Sequence, residues 1–107
     1  MDIGSFTKLV GGLTEQDISS DESHVSLRCE ENDISFDEIK RFILFESKKL
    51  VRLVEDRPHV FKLYYKLSRT QELKIVIDLF TYRKINVRTV KRLLQKYRIG
   101  TISKQRF

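Results

Sequence analysis

The sequence of 107 residues is the size of one domain, and an apolar fraction of 40% can build one modest core. Its charge is uneven, because residues 1–38 contain ten acidic and two basic side chains, whereas residues 39–107 contain five and nineteen. The single cysteine, Cys29, excludes an internal disulfide, and we expect neither a transmembrane helix nor a signal peptide, which together predict a cytoplasmic protein.

The charge distribution limits the classes of partner. A strongly basic stretch attracts polyanions, nucleic acid included. A chain with one acidic part and one basic part can also bind a second copy of itself, with opposite charges in contact.

The first 35 residues predict a short helix followed by an acidic loop. In the segment "SFTKLVGGL", Ser5 is a suitable cap, and the apolar residues share one helical face until Gly11 and Gly12 end the helix. The following stretch, residues 14–33, is acidic and rich in serine. Within it "HVSLRC" alternates apolar residues and would allow a short strand, but a mobile loop is the simpler interpretation.

The segment that begins at Ser35 predicts a helix with a defined start. "SFDE" is a capping box, in which the Ser35 hydroxyl accepts from the Glu38 amide and the Glu38 carboxylate accepts from the Ser35 amide. The helix that starts at Phe36 carries four consecutive apolar residues at positions 42–45, which cannot all face one side. Either this helix is covered all round, or part of the quartet is left open for a partner.

Three further segments are predicted as helices. "SKKLVRLVEDRP" predicts a short helix, or a continuation of the previous one to about Val54, with a break fixed by Pro58. "HVFKLYYKL" and "QELKIVIDLFTYR" place apolar residues at helical spacing. In the latter, every second residue from 73 to 79 is also apolar, as in a buried strand, but helical neighbours and the lack of a strand partner favour a helix.

The last predicted helix begins after Asn86 as its cap and ends at Gly100. Together the segments predict an all-α fold, a compact bundle of five or six short antiparallel helices. One domain accounts for the chain, with residues 1–35 as a first short helix plus acidic loop, residues 36–100 as the bundle core and residues 101–107 as a tail.

The corner "RKINVRT", residues 83–89, fits a helix-turn-helix. The stretch "LFTYRKINVRTVKRLL" follows the apolar spacing of that DNA-binding motif, with Asn86 capping the recognition helix. Phe80 and Lys84, however, occupy the positions where the motif needs a small residue and a glycine-like turn residue. Nucleic-acid binding through the helix at residues 86–98 is therefore the alternative prediction, with three basic residues facing the ligand: Arg88, Lys91 and Arg92.

Several short motifs, in order along the chain, resemble the death-effector domain of FADD-type adaptors and initiator-caspase prodomains. "EIKRFILFE" is similar to that family's second helix, "SKKLVRL" to its basic third segment, "PHVFKLYYKL" to its fourth helix and "ELKIVIDLFTYR" to its fifth. "KINV" stands where the family has an R-x-D-L corner, with Lys84 for the arginine and Asn86 for the aspartate. The resemblance covers more than half of the chain and is carried by the order of several weak matches.

This resemblance implies a death-fold bundle that assembles with domains of its own kind in apoptotic or innate-immune signalling. It implies a structural triad of Glu38, Lys84 and Asn86 at the corner. The implied partner is another death-effector domain, in an adaptor or a caspase prodomain, or a second copy of the chain. We expect such a partner to dock on the following residues: Phe42, Leu44, Phe45, Lys48, Lys49 and Arg52.

We expect no catalytic site, no cofactor and no metal. His24 and His59 have no cysteine or carboxylate at convincing ligand spacing. Cys29 has no paired base in the sequence around it, so a catalytic thiol is not predicted. The sequence therefore predicts a non-enzymatic interaction domain that binds no membrane.

Overall fold

A computed structural model describes residues 1–81 and 83–94 and shows a mixed α/β fold. The predicted all-α bundle is wrong, because the second half of the chain forms strands. The elements in chain order are α1 (Ile3–Val10), β1 (Ile18–Ser20), α2 (Glu22–Glu31), α3 (Phe36–Phe45), β2 (Leu50–Arg57), β3 (Val60–Lys66), β4 (Gln71–Thr81) and β5 (Lys84–Leu94). Short 3₁₀ turns at Glu15–Asp17 and Ser47–Lys49 precede β1 and β2.

The sheet is an antiparallel meander with one parallel strand added. Its five strands lie in the order β1-β5-β4-β3-β2. Strands β2 to β5 pair with their sequence neighbours in antiparallel fashion. β1 returns to the other end of the meander and pairs in parallel with β5, where Ile18 lies opposite Ile85. The strand nearest the amino terminus therefore closes the edge formed by the last described strand.

The pattern of β4 explains why the helix predicted there is wrong. Its alternate residues are at most 5% exposed, and they face the core together with alternate residues of β3 and β5. β-branched and aromatic side chains suit such a pleated surface. Because β3, β4 and β5 follow one another through short turns, each supplies the pairing partner that a single segment lacks. The inward residues of β4 are Leu73, Ile75, Ile77 and Leu79.

The α-helices of the described residues cover one face of the sheet and supply the other half of the core. Phe6 and Val10 of α1 and Val25 and Cys29 of α2 are buried in the same cluster as the inward residues of the strands. α3 contributes a further set, in which the Phe42 ring packs edge to face on Tyr65, with 5.5 Å between ring centroids. The buried residues of α3 are Ile39, Phe42 and Ile43.

Two helix starts are set by side-chain caps. The predicted capping box of α3 is confirmed, since the Ser35 amide donates to Glu38 Oε1 at 3.2 Å and the Glu38 amide donates to Ser35 Oγ at 3.1 Å. α1 is confirmed as a helix, but its cap is Asp2 instead of Ser5. The Ser5 amide donates to Asp2 Oδ1 at 2.7 Å, and this bond lowers the pKa of the Asp2 carboxyl.

The loop predicted for residues 14–33 is wrong, because this stretch contains β1 and α2. α2 buries only Val25 and Cys29, so its sequence lacks the apolar face by which a helix is usually recognised. The packing of these two residues into the core stabilises the helix in spite of its acidic, serine-rich composition. It ends in a Schellman motif with Asp33 at a φ of 52°. There the Ile34 amide donates to the Cys29 carbonyl oxygen at 3.0 Å.

The helix predicted from "SKKLVRLVEDRP" is also wrong, since this segment forms a 3₁₀ turn and β2. The break at Pro58 is confirmed, but it is the turn of a β-hairpin. Pro58 and His59 connect β2 to β3, and His59 takes a φ of 70°. β2 carries register shifts between Leu50 and Arg52 and between Glu55 and Arg57.

The helix predicted after Asn86 is wrong as far as the described residues reach, because β5 runs from Lys84 to Leu94. The end predicted at Gly100 and the tail at 101–107 lie outside the described residues. In the part of the chain that the structure describes, no helix is long and apolar enough to cross a membrane.

Candidate functional site

A bulge in β5 determines which of its side chains face the solvent. Val76 pairs with Thr89, whereas the next residue of β4, Ile77, pairs with Val87, so β5 contains one extra residue at this point. The bulge keeps both Val87 and Val90 on the buried face. Beyond it, Lys91 lies on the outer face, which is the face of the sheet not covered by helices.

α2 lies along the edge of β5 beyond the end of β1. The side chain of Asn32, just after α2, bonds to β5 as a neighbouring strand would. Its Nδ2 donates to the Val90 carbonyl oxygen at 3.3 Å, and its Oδ1 accepts from the Arg92 amide at 2.8 Å. The Arg92 guanidinium donates in return to the carbonyl oxygens of Asn32 at 3.1 Å and Asp33 at 3.0 Å. These bonds fix α2 beside the strand.

A cleft of about 450 Å³ lies between α2 and this end of the sheet. Arg28 and Glu31 of α2 form an ion pair across its helical wall, with 2.7 Å between Nη1 and Oε1. Glu31 is the one carboxylate among the described lining residues, so the cations are in excess. The cleft is lined by His24, Arg28, Glu31, Asn32, Lys74, Thr89, Val90 and Lys91.

Lys74 and Lys91 give the cleft its excess positive charge. They lie directly opposite each other in the ladder between β4 and β5, an arrangement in which like charges destabilise a sheet. Within residues 1–81 and 83–94, neither forms an ion pair with a carboxylate. An anion bound between the two ammonium groups would relieve their repulsion. Anion binding is therefore the chemistry that this arrangement favours.

The positive charge continues across the outer face as one row of paired residues. The strand register places Arg52 opposite Tyr64, Tyr64 opposite Lys74, and Lys74 opposite Lys91. The Arg52 guanidinium stacks on the Tyr64 ring at 4.0 Å and lies 3.6 Å from the buried Glu72 carboxylate. With about 4.8 Å between neighbouring strands, this basic row extends about 14 Å and ends in the cleft.

The other end of the outer face is acidic. Asn86 Nδ2 donates to Asp21 Oδ1 at 3.2 Å and to Asp78 Oδ2 at 3.3 Å, and Arg88 Nη1 lies 3.5 Å from Asp78 Oδ1. An anion on this face is therefore directed toward the basic row and the cleft.

The described residues contain no group of three or more histidine, cysteine, aspartate or glutamate side chains that could hold a metal ion.

The predicted structural triad is spread over separate elements. Glu38 caps α3, Lys84 begins β5 and is exposed, and Asn86 bonds to Asp21 and Asp78. The structure shows no contact among the three within the described residues. The corner predicted at residues 83–89 does not lead into a helix, because β5 begins at Lys84 and pairs with β4 in antiparallel fashion.

The predicted docking residues do not form one surface. Phe42 is 6% exposed and lies in the core, Leu44 is partly buried, and Phe45 is 74% exposed at the end of α3. Lys48 and Lys49 are exposed in the 3₁₀ turn before β2. Arg52 lies on the outer face of the sheet in the basic row.

The bulge separates the three residues predicted to bind nucleic acid. Lys91 lines the cleft, Arg88 pairs with Asp78, and Arg92 holds the end of α2 on the helical side. Sequence reasoning missed Arg28 and Lys74. The opposition of Lys74 and Lys91 becomes visible only once β4 and β5 are recognised as a hairpin, and Arg28 was assigned to a loop.

Comparisons with known proteins identify no relative. No family model matches the chain, and neither a curated protein nor a solved structure matches it. Nothing in them identifies a death-effector domain.

Proposed function

We propose that the protein binds nucleic acid through its phosphate backbone, in the cleft between α2 and β5 and along the basic row. The observation that supports this most strongly is the opposed pair Lys74 and Lys91, which lacks a carboxylate partner in the described residues. Arg28 on the facing helix provides a third cation, held in place by Glu31. Phosphate groups are the anions that such lysine and arginine clusters bind in proteins.

The shape of the surface favours an extended ligand over a small anion. The cleft opens onto the outer face, and the basic row leads away from it across β4, β3 and β2. Tyr64 lies in the middle of the row, where an aromatic ring between cations can contact a base while its neighbours contact the backbone. A polymer of phosphates can occupy the cleft and the row together.

The ligand class is the one predicted as the alternative from the sequence, but the surface is different. Binding occurs on a sheet face and at a helix beside it, in place of a recognition helix. Homotypic assembly in apoptotic signalling stays a prediction that no longer has a helical bundle to support it. The absence of enzyme activity likewise stays a prediction. We further propose a cytoplasmic location, where Cys29 would remain a free thiol.

The test compares two variants that lose the same charge. Lys74→Ala/Lys91→Ala removes the opposed pair, and Arg41→Ala/Lys48→Ala removes two exposed cations from α3 and the following turn. Fluorescence anisotropy of labelled single-stranded and duplex oligonucleotides, measured over a series of salt concentrations, gives the affinity and its salt dependence. We expect the first variant to bind about tenfold more weakly. The slope of log affinity against log salt concentration should fall by the amount that corresponds to about two phosphate contacts.

The control variant should retain the affinity and salt slope of the wild type. If both variants weaken binding equally, the protein attracts polyanions only through its net charge, and the cleft has no special role. If neither changes binding, the ligand lies elsewhere. Both results would contradict the proposal.

A further inference from the structure

The two edges of the antiparallel meander formed by β2 to β5 differ in what covers them. The edge of β5 is closed by β1, by the Asp21 amide that donates to the Val87 carbonyl oxygen at 3.2 Å, and by the side chain of Asn32. β2 forms the opposite edge, and no strand of the described residues pairs with its outward side. Val51 and Val54 are 48% and 41% exposed on this edge strand. An uncovered strand edge is a template for pairing.

We propose that β2 pairs in antiparallel fashion with β2 of a second copy of the chain, around a two-fold axis at Val54. In this register Val54 lies opposite Val54 of the second copy, and Arg52 lies opposite Asp56 of the second copy. Because the axis is two-fold, the contact between Arg52 and Asp56 occurs twice. The partner is thus identified by charge complementarity within one strand.

Contacts in the monomer place both charged groups on the outer face. Arg52 stacks on Tyr64, and the Asp56 carboxylate lies 3.5 Å from Nζ of Lys62, which belongs to the same face of β3. Opposite residues of an antiparallel ladder point to the same side of a sheet, so the two groups meet in the dimer.

Neighbouring registers do not give this match. An axis at Leu53 places Arg52 opposite Val54, and an axis at Glu55 places two like carboxylates opposite each other. The register centred on Val54 is the one of these three that pairs opposite charges on the outer face.

The structure also explains why pairing stops at two copies. Register shifts between Leu50 and Arg52 and between Glu55 and Arg57 keep the pairing edge of β2 short, and β1, the strand at the other edge of the sheet, has only three residues. A short edge used around a two-fold axis gives a closed dimer and no fibre. The dimer would also place the outer faces of both copies on the same side, so that their basic rows form one larger surface.

A cysteine scan at the edge tests the register directly. In a Cys29→Ala background, Val54→Cys should form a disulfide-linked dimer under mild oxidation, because directly opposed residues have Cα atoms about 4.5–5.5 Å apart. Val51→Cys is the matched control, since this residue has similar exposure on the same strand. In the proposed dimer the two copies of residue 51 are about 20 Å apart, so this control should stay monomeric on a non-reducing gel.

Charge reversal supplies a second, independent test in sedimentation experiments without nucleic acid. Asp56→Arg alone and Arg52→Asp alone should each be monomeric, because like charges then face each other. An equimolar mixture of the two variants should dimerise, because each repulsive contact is replaced by an attractive one. The proposal is overturned if Val54→Cys fails to crosslink, if both cysteine variants crosslink equally, or if the mixture remains monomeric while the wild type dimerises.

Discussion

Tyr65 lies at the centre of the core, and no described residue pairs with its hydroxyl group. The residue is fully buried between the sheet and α3, and its hydroxyl oxygen has no hydrogen-bond partner within the described residues. Burial raises the pKa of the Tyr65 phenol far above its ordinary value. The ring stabilises the fold through its edge contact with Phe42, whereas the hydroxyl group is desolvated without a compensating partner in residues 1–81 and 83–94.

Replacement of Tyr65 by phenylalanine tests this account. At neutral pH we expect Tyr65→Phe to be as stable as the wild type or more stable by about 1 kcal/mol, because the ring is kept and an unpaired group is removed. Above about pH 10, the tyrosine of the unfolded chain ionises while the buried one stays protonated, so the wild type loses stability as pH rises. The advantage of the variant should therefore grow with pH.

Urea unfolding at neutral and alkaline pH measures this difference. Tyr64→Phe is the control, because it removes a tyrosine hydroxyl group that is partly exposed on the other face of the same strand. A Tyr65→Phe variant that is less stable than the wild type at neutral pH would show that the hydroxyl group has a partner.

Local signals in single residues were predicted best. The capping box of Ser35 and Glu38, the end of α1 at Gly11 and the break at Pro58 depend on chemistry within a few neighbouring positions, and all three are confirmed. The positive φ of Asp33 could not be predicted, because it follows from a helix that the sequence did not reveal. Residue-scale prediction therefore succeeded where the interaction spans three or four positions.

At the scale of the element, pairing between distant segments decided the structure. The alternation of apolar residues at 73–79 was noticed but was assigned to a helix, because no strand partner was evident within the segment. In the structure β4 has two partners, β3 and β5, each of which was also predicted as a helix. Strand formation is a property of the set of segments, so considering each segment alone repeated the same error.

The closing of the β5 edge by Asn32 is a testable feature at this scale. Asn32→Ala leaves the Val90 carbonyl and the Arg92 amide without their side-chain partner. We expect a loss of about 1–3 kcal/mol in the free energy of unfolding, together with faster hydrogen exchange of the Arg92 amide. Asn86→Ala, which removes a side chain with hydrogen bonds on the outer face, is the control and should leave exchange at Arg92 unchanged. An unchanged stability of Asn32→Ala would contradict the role given to this side chain.

At the scale of the whole molecule, the charge asymmetry of the sequence becomes an asymmetry between layers. Residues 1–49, which form the helices and β1, contain eleven acidic and six basic side chains, whereas residues 50–94 contain four acidic and eleven basic. The sequence predicted a polyanion such as nucleic acid, or a second copy of the chain, as the partner of the basic part, and this stays a prediction. It could not show that Lys74, Lys91 and Arg28 meet at one cleft, because this depends on the register of β4 and β5 and on the position of α2.

The most direct test of the proposed function is a titration of the isotope-labelled protein with a short single-stranded oligonucleotide, followed through backbone amide chemical shifts. We predict saturable shifts concentrated in residues 24–32 and around Lys74 and Lys91, which weaken as salt is added. Shifts concentrated instead in α3 and the turn at Ser47–Lys49, or small shifts spread without saturation over the whole protein, would contradict the assignment of the cleft as the binding site.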